Sequence, residues 1–172
     1  MTCIVALKDG DDVYIGADRQ ITHGWLKKDA CKLKTAEGLV FGSAGSARGM
    51  QIIEESWKKV RSSPCENDVY GWFQDCMIPL FKEMKDNDYN SFSKCNFILV
   101  LNKSIIFLDG ADLFFDIPSI GYTSIGSGSE VALGSLYSTD GVLSAQKRVE
   151  KALEAAGNFS VGCSQDYEIL KV

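Results

Sequence analysis

Threonine at position 2 directly follows Met1 and opens an apolar, β-prone run, Thr2-Cys3-Ile4-Val5-Ala6-Leu7. It is small enough that a methionine aminopeptidase is expected to expose it. A threonine at a chain terminus carries a hydroxyl and an α-amine on adjacent carbons. The amine has a pKa of about 7.7–8.0, so a good fraction of it is neutral at pH 7. It can take the hydroxyl proton directly or through one water, which makes a nucleophile that needs no histidine. That suits a sequence whose only histidine, His23, falls in a polar, loop-like stretch from Gln20 to Asp29. A Ser-His-Asp or Cys-His route would have to run through that residue. The plainer reading of Thr2 is a processed terminus with no chemical duty, and a retained Met1 would lock the amine in a peptide bond.

Two charged residues are spaced to serve such a nucleophile. Asp18 ends Val13-Tyr14-Ile15-Gly16-Ala17-Asp18-Arg19, a run expected to pair with the first, and Lys32 lies in Cys31-Lys32-Leu33-Lys34. An ammonium beside the nucleophile would keep the α-amine deprotonated by like-charge repulsion and stabilise a developing negative charge. A buried lysine needs a partner, and Asp18 is the natural one. Surface charges at strand ends would look the same in the sequence. Two small-residue turns complete the set. Gly42-Ser43-Ala44-Gly45-Ser46 precedes a helical pattern, where free N–H groups can hold an oxyanion, and Ile125-Gly126-Ser127-Gly128-Ser129 is a second such turn, whose Ser127 could hydrogen-bond an amine. Tight turns want glycine in any case. Neither turn has the GxxxxGK[ST] pattern of a phosphate loop.

The elements that would position these residues follow from periodicity. Thr2–Lys8 and Val13–Arg19 flank Asp9-Gly10-Asp11-Asp12, a strong hairpin signal. Cys31–Thr35 and Leu39–Ser43 form a second strand pair. The period then changes to about 3.6: Ala47, Met50, Ile53, Trp57 and Val60 share one helix face, and Val69 to Met84 line a longer helix with Pro79 as a kink point. Asn96–Leu101, Ser104–Asp109 and Tyr122–Gly126 read as strands. Glu130–Ser138 and Ser144–Ala156 read as helices, with Gly157 as a stop, and Phe159–Cys163 and Tyr167–Leu170 as closing strands. Blocks of neighbouring strands imply antiparallel sheets, so the class is α+β. Helix pairs must cover the outer faces, which gives a four-layer αββα sandwich.

The bulk numbers fit one domain over residues 1–172, able to bury roughly 70% of its unfolded surface. Net charge is −5 with no long basic run, which argues against an extended nucleic-acid face. No apolar run approaches the roughly 18–20 residues of a membrane span, and the start lacks a secretory pattern, so a cytoplasmic chain is expected. Six scattered cysteines without CxxC or Cys/His pairing read as reduced thiols rather than a zinc site.

Read in order, T-x-I-V-A at 2–6, I-G-A-D-R-Q-I-T at 15–22, K-L at 32–33, G-S-A-G-S at 42–46, S-I-G-S-G at 124–128 and A-L-E-A-A-G at 152–157 resemble the proteasome β-type family. The resemblance is strongest to its bacterial branch, the HslV (ClpQ) peptidases. The resemblance covers nearly the full length and implies the same four-layer fold. It makes Thr2 the nucleophile and base, Asp18 and Lys32 the charge pair, Gly45 the oxyanion N–H donor and Ser127 the serine that positions the amine. A one-pair slip in alignment would make Lys34 the lysine. The resemblance further implies homo-oligomeric rings that enclose the sites, an HslU-like ATPase that feeds them, and unfolded protein or peptide substrates. No cofactor is implied for the chemistry. A monovalent cation such as sodium would sit on backbone carbonyls at Gly157, Ser160 and Cys163. The stretch between Asp18 and Lys32 is shorter than the branch pattern, and Trp25 within it is unusual. An inactive shell protein or a small-amide hydrolase on the same fold are the competing readings.

Overall fold

The computed structural model describes residues 2–23, 26–60, 68–87 and 89–172. Strands β1 (Cys3–Asp9), β2 (Asp12–Asp18), β3 (Gln20–His23), β4 (Leu26–Asp29), β5 (Leu33–Ala36) and β6 (Leu39–Ala44) lead into helix α1 (Ala47–Val60). Helix α2 (Val69–Trp72), a π-helical stretch Phe73–Met77, and helices α3 (Ile78–Asn87) and α4 (Tyr89–Phe92) follow. Strands β7 (Asn96–Leu101), β8 (Ser104–Asp109), β9 (Phe115–Asp116) and β10 (Tyr122–Gly126) come next. The chain ends on helices α5 (Ser129–Ser138) and α6 (Ala145–Phe159) and strand β11 (Tyr167–Lys171).

Two antiparallel sheets form the middle of the molecule, one ordered β10-β1-β2-β11 and the other β5-β6-β7-β8-β9. The period-2 alternation of β1 explains how they are covered. Ile4 and Ala6 point between the sheets, where they meet Ile15, Val40, Ile98 and Val100. Cys3, Val5 and Leu7 point the other way, onto Ala132 and Leu136 of α5 and Val149, Ala152 and Leu153 of α6. In β6 the same alternation sends Val40 and Ala44 inward and Leu39 and Phe41 outward, against Ile52, Ile53 and Trp57 of α1. Each fully buried aliphatic side chain contributes on the order of 1.5–3 kcal/mol. A sheet with two apolar faces is stable only between two covers, and the expected αββα sandwich is the result.

Several expectations change in detail. Gln20–Asp29 is not a loop: β3 and β4 pair as a two-stranded ribbon, Gln20 opposite Asp29. The side chain of His23 and the residue Trp25 lie outside the described residues. The strand expected from Cys31 begins only at Leu33, where pairing with Gly42 starts. Gly157 does not stop α6, which runs on to Phe159, so Phe159–Cys163 is a helix end and turn rather than a strand. The long second helix is continuous in path but widens to a π-turn, with the N–H of Ile78 bonded to the carbonyl of Phe73. Pro79 is the physical reason: it has no N–H for the carbonyl of Asp75 one turn back, and a local π-turn absorbs the mismatch.

Candidate active site

Asp18 closes β2 as a fully buried carboxylate with four donors around it. Oδ1 accepts from the main-chain N–H of Cys3 at 2.7 Å and from Lys32 Nζ at 2.7 Å. Oδ2 accepts from the N–H groups of Gln20 and Ser164, each at 3.1 Å. A buried ion pair loses hydration on both partners, and it holds only where the remaining lone pairs are also satisfied, as here. The pair is almost out of water, the Lys32 side chain being 6% and that of Asp18 1% exposed. Lys34 goes elsewhere, to Glu54 of α1 at 2.8 Å. The lysine that meets Asp18 is therefore Lys32, which lies one residue ahead of β5.

Thr2 is placed by the pairing of β1 with β10, in which Cys3 faces Gly126. Its main-chain nitrogen donates to Ser127 Oγ at 3.2 Å, and its carbonyl accepts from the N–H of Gly128 at 3.3 Å and the hydroxyl of Ser127 at 3.4 Å. So close an approach requires glycine at 126. Its φ is +94°, and a Cβ there would lie 2.1 Å from the carbonyl oxygen of Thr2. Ser127 is held from behind, its carbonyl accepting the hydroxyl of Ser160 at 3.1 Å.

Two clefts open onto Thr2, and Gly45 lines both. One, of about 320 Å³, is walled by Asn96, Ser124, Ser127 and Ser129. The other, of about 230 Å³, is walled by Ile21, Cys31, Lys32, Lys34 and Met50. Gly45 sits just before α1 with φ +127°, and a Cβ on it would be 2.1 Å from the carbonyl oxygen of Lys94. Thr2, Asp18, Lys32, Gly45 and Ser127 thus meet in one place, from five separate stretches of sequence.

The thiols nearby are poor rivals as nucleophiles. Cys3 is fully buried, and that burial pushes its pKa to about 12. Burial and the Glu168 carboxylate also raise the Cys31 thiol above its usual range. Glu168 was not singled out by the sequence. It lies on β11, and its Oε1 accepts the main-chain N–H groups of Lys32 at 2.9 Å and Leu33 at 3.3 Å. An acidic residue in a terminal strand looks like an ordinary solvated charge, and only the fold shows what it reaches.

Gly157, Ser160 and Cys163 gather at the C-terminal end of α6, behind Ser127. The N–H of Ser160 bonds to Ala156 and that of Cys163 to the carbonyl of Ser160 at 3.0 Å. Carbonyl oxygens at a helix C-terminus carry partial negative charge, so their chemistry suits a hard cation. Among the described residues no group of three His, Cys, Asp or Glu side chains could hold a metal.

No protein-family model matches the sequence. The chain is 27% identical to the ATP-dependent protease subunit HslV of Trypanosoma brucei brucei, over 99% of its own length and 83% of that protein. To the HslV subunit of Rickettsia bellii it is 28% identical, over 93% of this chain and 88% of the relative. The crystal structure of eukaryotic HslV from Trypanosoma brucei superposes with a TM-score of 0.81 at 24% identity, covering 98% of both chains. Thiobacillus denitrificans BPH, solved in complex with epoxomicin, superposes with a TM-score of 0.80 at 16% identity, over 99% of this chain and 97% of that one. Over nearly its full length this chain is thus similar to HslV protease subunits, and it shares the fold of HslV and of BPH.

Proposed function

We propose that this chain is an N-terminal threonine peptidase. The observation that carries the reading is the convergence on Thr2 of a buried Asp18–Lys32 pair, a hydroxyl on its nitrogen and a glycine of positive φ at the helix start. Removal of Met1 turns the nitrogen that now donates to Ser127 into a free amine. In its neutral form that amine takes the proton of the Thr2 hydroxyl as the oxygen attacks the scissile carbonyl carbon. Lys32, held in place by Asp18, favours the neutral amine through like-charge repulsion and stabilises the alkoxide as it forms. In this reading Gly45, which lines both clefts at Thr2, supplies the N–H that holds the negative charge growing on the carbonyl oxygen. Collapse of the tetrahedral species passes the proton from the amine to the leaving nitrogen and leaves an ester on Thr2. Water, deprotonated by the same amine, then releases the acid and restores the hydroxyl.

The relatives named ATP-dependent protease subunits support the finer reading. In it, copies of this chain close into rings that hide Thr2, and an HslU-like ATPase delivers unfolded protein in the cytoplasm. No helix among the described residues is long and apolar enough to cross a membrane. A sodium-like cation on the carbonyls of Gly157, Ser160 and Cys163 would brace the turn behind Ser127.

Native mass spectrometry with N-terminal identification tests the reading. It should find Thr2 as the first residue in a closed oligomer that cleaves peptides. Thr2→Ala should lose more than about a thousandfold in peptide hydrolysis while assembling as before. Unchanged hydrolysis in that variant, or hydrolysis by an oligomer whose Thr2 amine is still acylated, removes the proposal.

A further inference from the structure

Lys32 has an anchoring problem that Asp18 does not solve. Its side chain has four rotatable bonds, so an ion pair at the tip constrains the ammonium only if the main chain is also held. Lys32 precedes β5, whose ladder with β6 begins at Leu33, and β5 is an edge strand of its sheet. The sheet ladder therefore does not fix the residue. Among the bonds that do, two come from the opposite sheet. Glu168 pairs with Ala17 in the β11–β2 ladder, one step from the pairing of Tyr167 with Asp18. From there its Oε1 accepts the N–H groups of Lys32 and Leu33, and its Oε2 accepts the thiol of Cys31 at 2.9 Å. One carboxylate in the first sheet thus holds the main chain of the lysine while its neighbour in that sheet holds the ammonium.

We infer that Glu168 is a positioning residue for the hydrolysis: it anchors the main chain at Lys32 and Leu33 and so sets where the Lys32 ammonium stands beside Thr2. The inference rests on the role proposed for Lys32. Among the described residues, the charged residues lining the two clefts that open onto Thr2 are Lys32, Lys34 and Lys94, with Asp18 of β2 bonded to Lys32. Arg19 is turned away to Asp29 at 2.8 Å, and Lys34 is turned away to Glu54. A displaced Lys32 would then have two separable effects. The alkoxide would lose its stabilising charge, which lowers the rate. The amine would lose its like-charge neighbour and stay protonated to higher pH, which moves the acidic limb of the rate profile upward. A purely structural role would produce neither effect per folded molecule.

The test uses the processed protein with Thr2 confirmed as its first residue. A peptide epoxyketone reports the nucleophile directly, and adduct formation is followed by intact mass as a function of pH. Wild type, Glu168→Ala, Glu168→Gln and Lys32→Ala are compared, with the folded fraction of each taken from circular dichroism. Glu168→Ala should react roughly 10- to 100-fold more slowly, the scale at which small misplacements cost rate, with its acidic limb shifted to higher pH. Glu168→Gln keeps a carbonyl acceptor for both N–H groups and should stay within about threefold of wild type. If Glu168→Ala does not fold, Glu168→Asp replaces it, since the shorter side chain withdraws the acceptor but keeps the charge; it should also be slow. A wild-type rate and pH profile in the folded Ala or Asp variant, alongside a dead Lys32→Ala, overturns the inference and leaves the role of Lys32 intact. A rate unchanged per folded molecule overturns it in the same way. A Lys32→Ala variant that reacts like wild type removes the lysine's role and the inference with it.

Discussion

Asp18 is the residue on which the site turns, because one carboxylate closes four contacts. Asp18→Asn would keep the shape but leave the Lys32 ammonium buried without its counter-charge, and breaking a buried pair costs about 3–5 kcal/mol. Urea denaturation should show a loss of that size, against well under 1 kcal/mol for Lys34→Ala, whose pair with Glu54 is solvent-exposed. The cysteines give a second check. With the Cys3 thiol at about 12 it stays protonated at every pH a native protein tolerates, and it is wholly shielded. A maleimide should therefore leave Cys3 unmodified until the chain is unfolded, as peptide mapping would show. At this scale the sequence pointed to Thr2, Asp18, Lys32, Gly45 and Ser127 through the order and spacing of the runs they stand in, each run being a weak signal alone, and the structure brings the five together. Ser164 and Glu168 had no such signal. They act through contacts 146 and 136 residues away, and no local pattern encodes those.

Strands and helices were legible wherever one period dominated. β7, β8 and β10 fall on the runs expected as strands, and β7 reads as a continuous apolar run because one of its faces lies between the sheets and the other under helices. The ribbon β3–β4 was not legible, because its polar, loop-like sequence gives no strand period. The π-turn was hidden as well, since an apolar stripe drifts only slightly when a single turn widens. At the element scale the pairing of β1 with β10 is the most exposed to substitution. Gly126→Ala would put a methyl group against the carbonyl of Thr2 and strain a backbone at φ +94°. Expected outcomes are a loss of at least about 1–2 kcal/mol and a drop in epoxyketone labelling, since Thr2 and Ser127 are pushed apart. Melting temperature and intact mass would measure the two.

The whole molecule is built so that the ends of the chain meet in its middle. Thr2 enters at the first strand, while Ser164 and Glu168 arrive with the last. Deleting residues 167–172 should therefore abolish labelling at Thr2 even though Thr2, Asp18, Lys32, Gly45 and Ser127 are all retained, and intact mass would read this directly. Completion of the site is therefore tied to one docking event. A copy whose segment beyond residue 163 has not settled against β2 lacks the bonds from Ser164 to Asp18 and from Glu168 to the main chain of Lys32, so the charges beside Thr2 come into register only with that last long-range pairing.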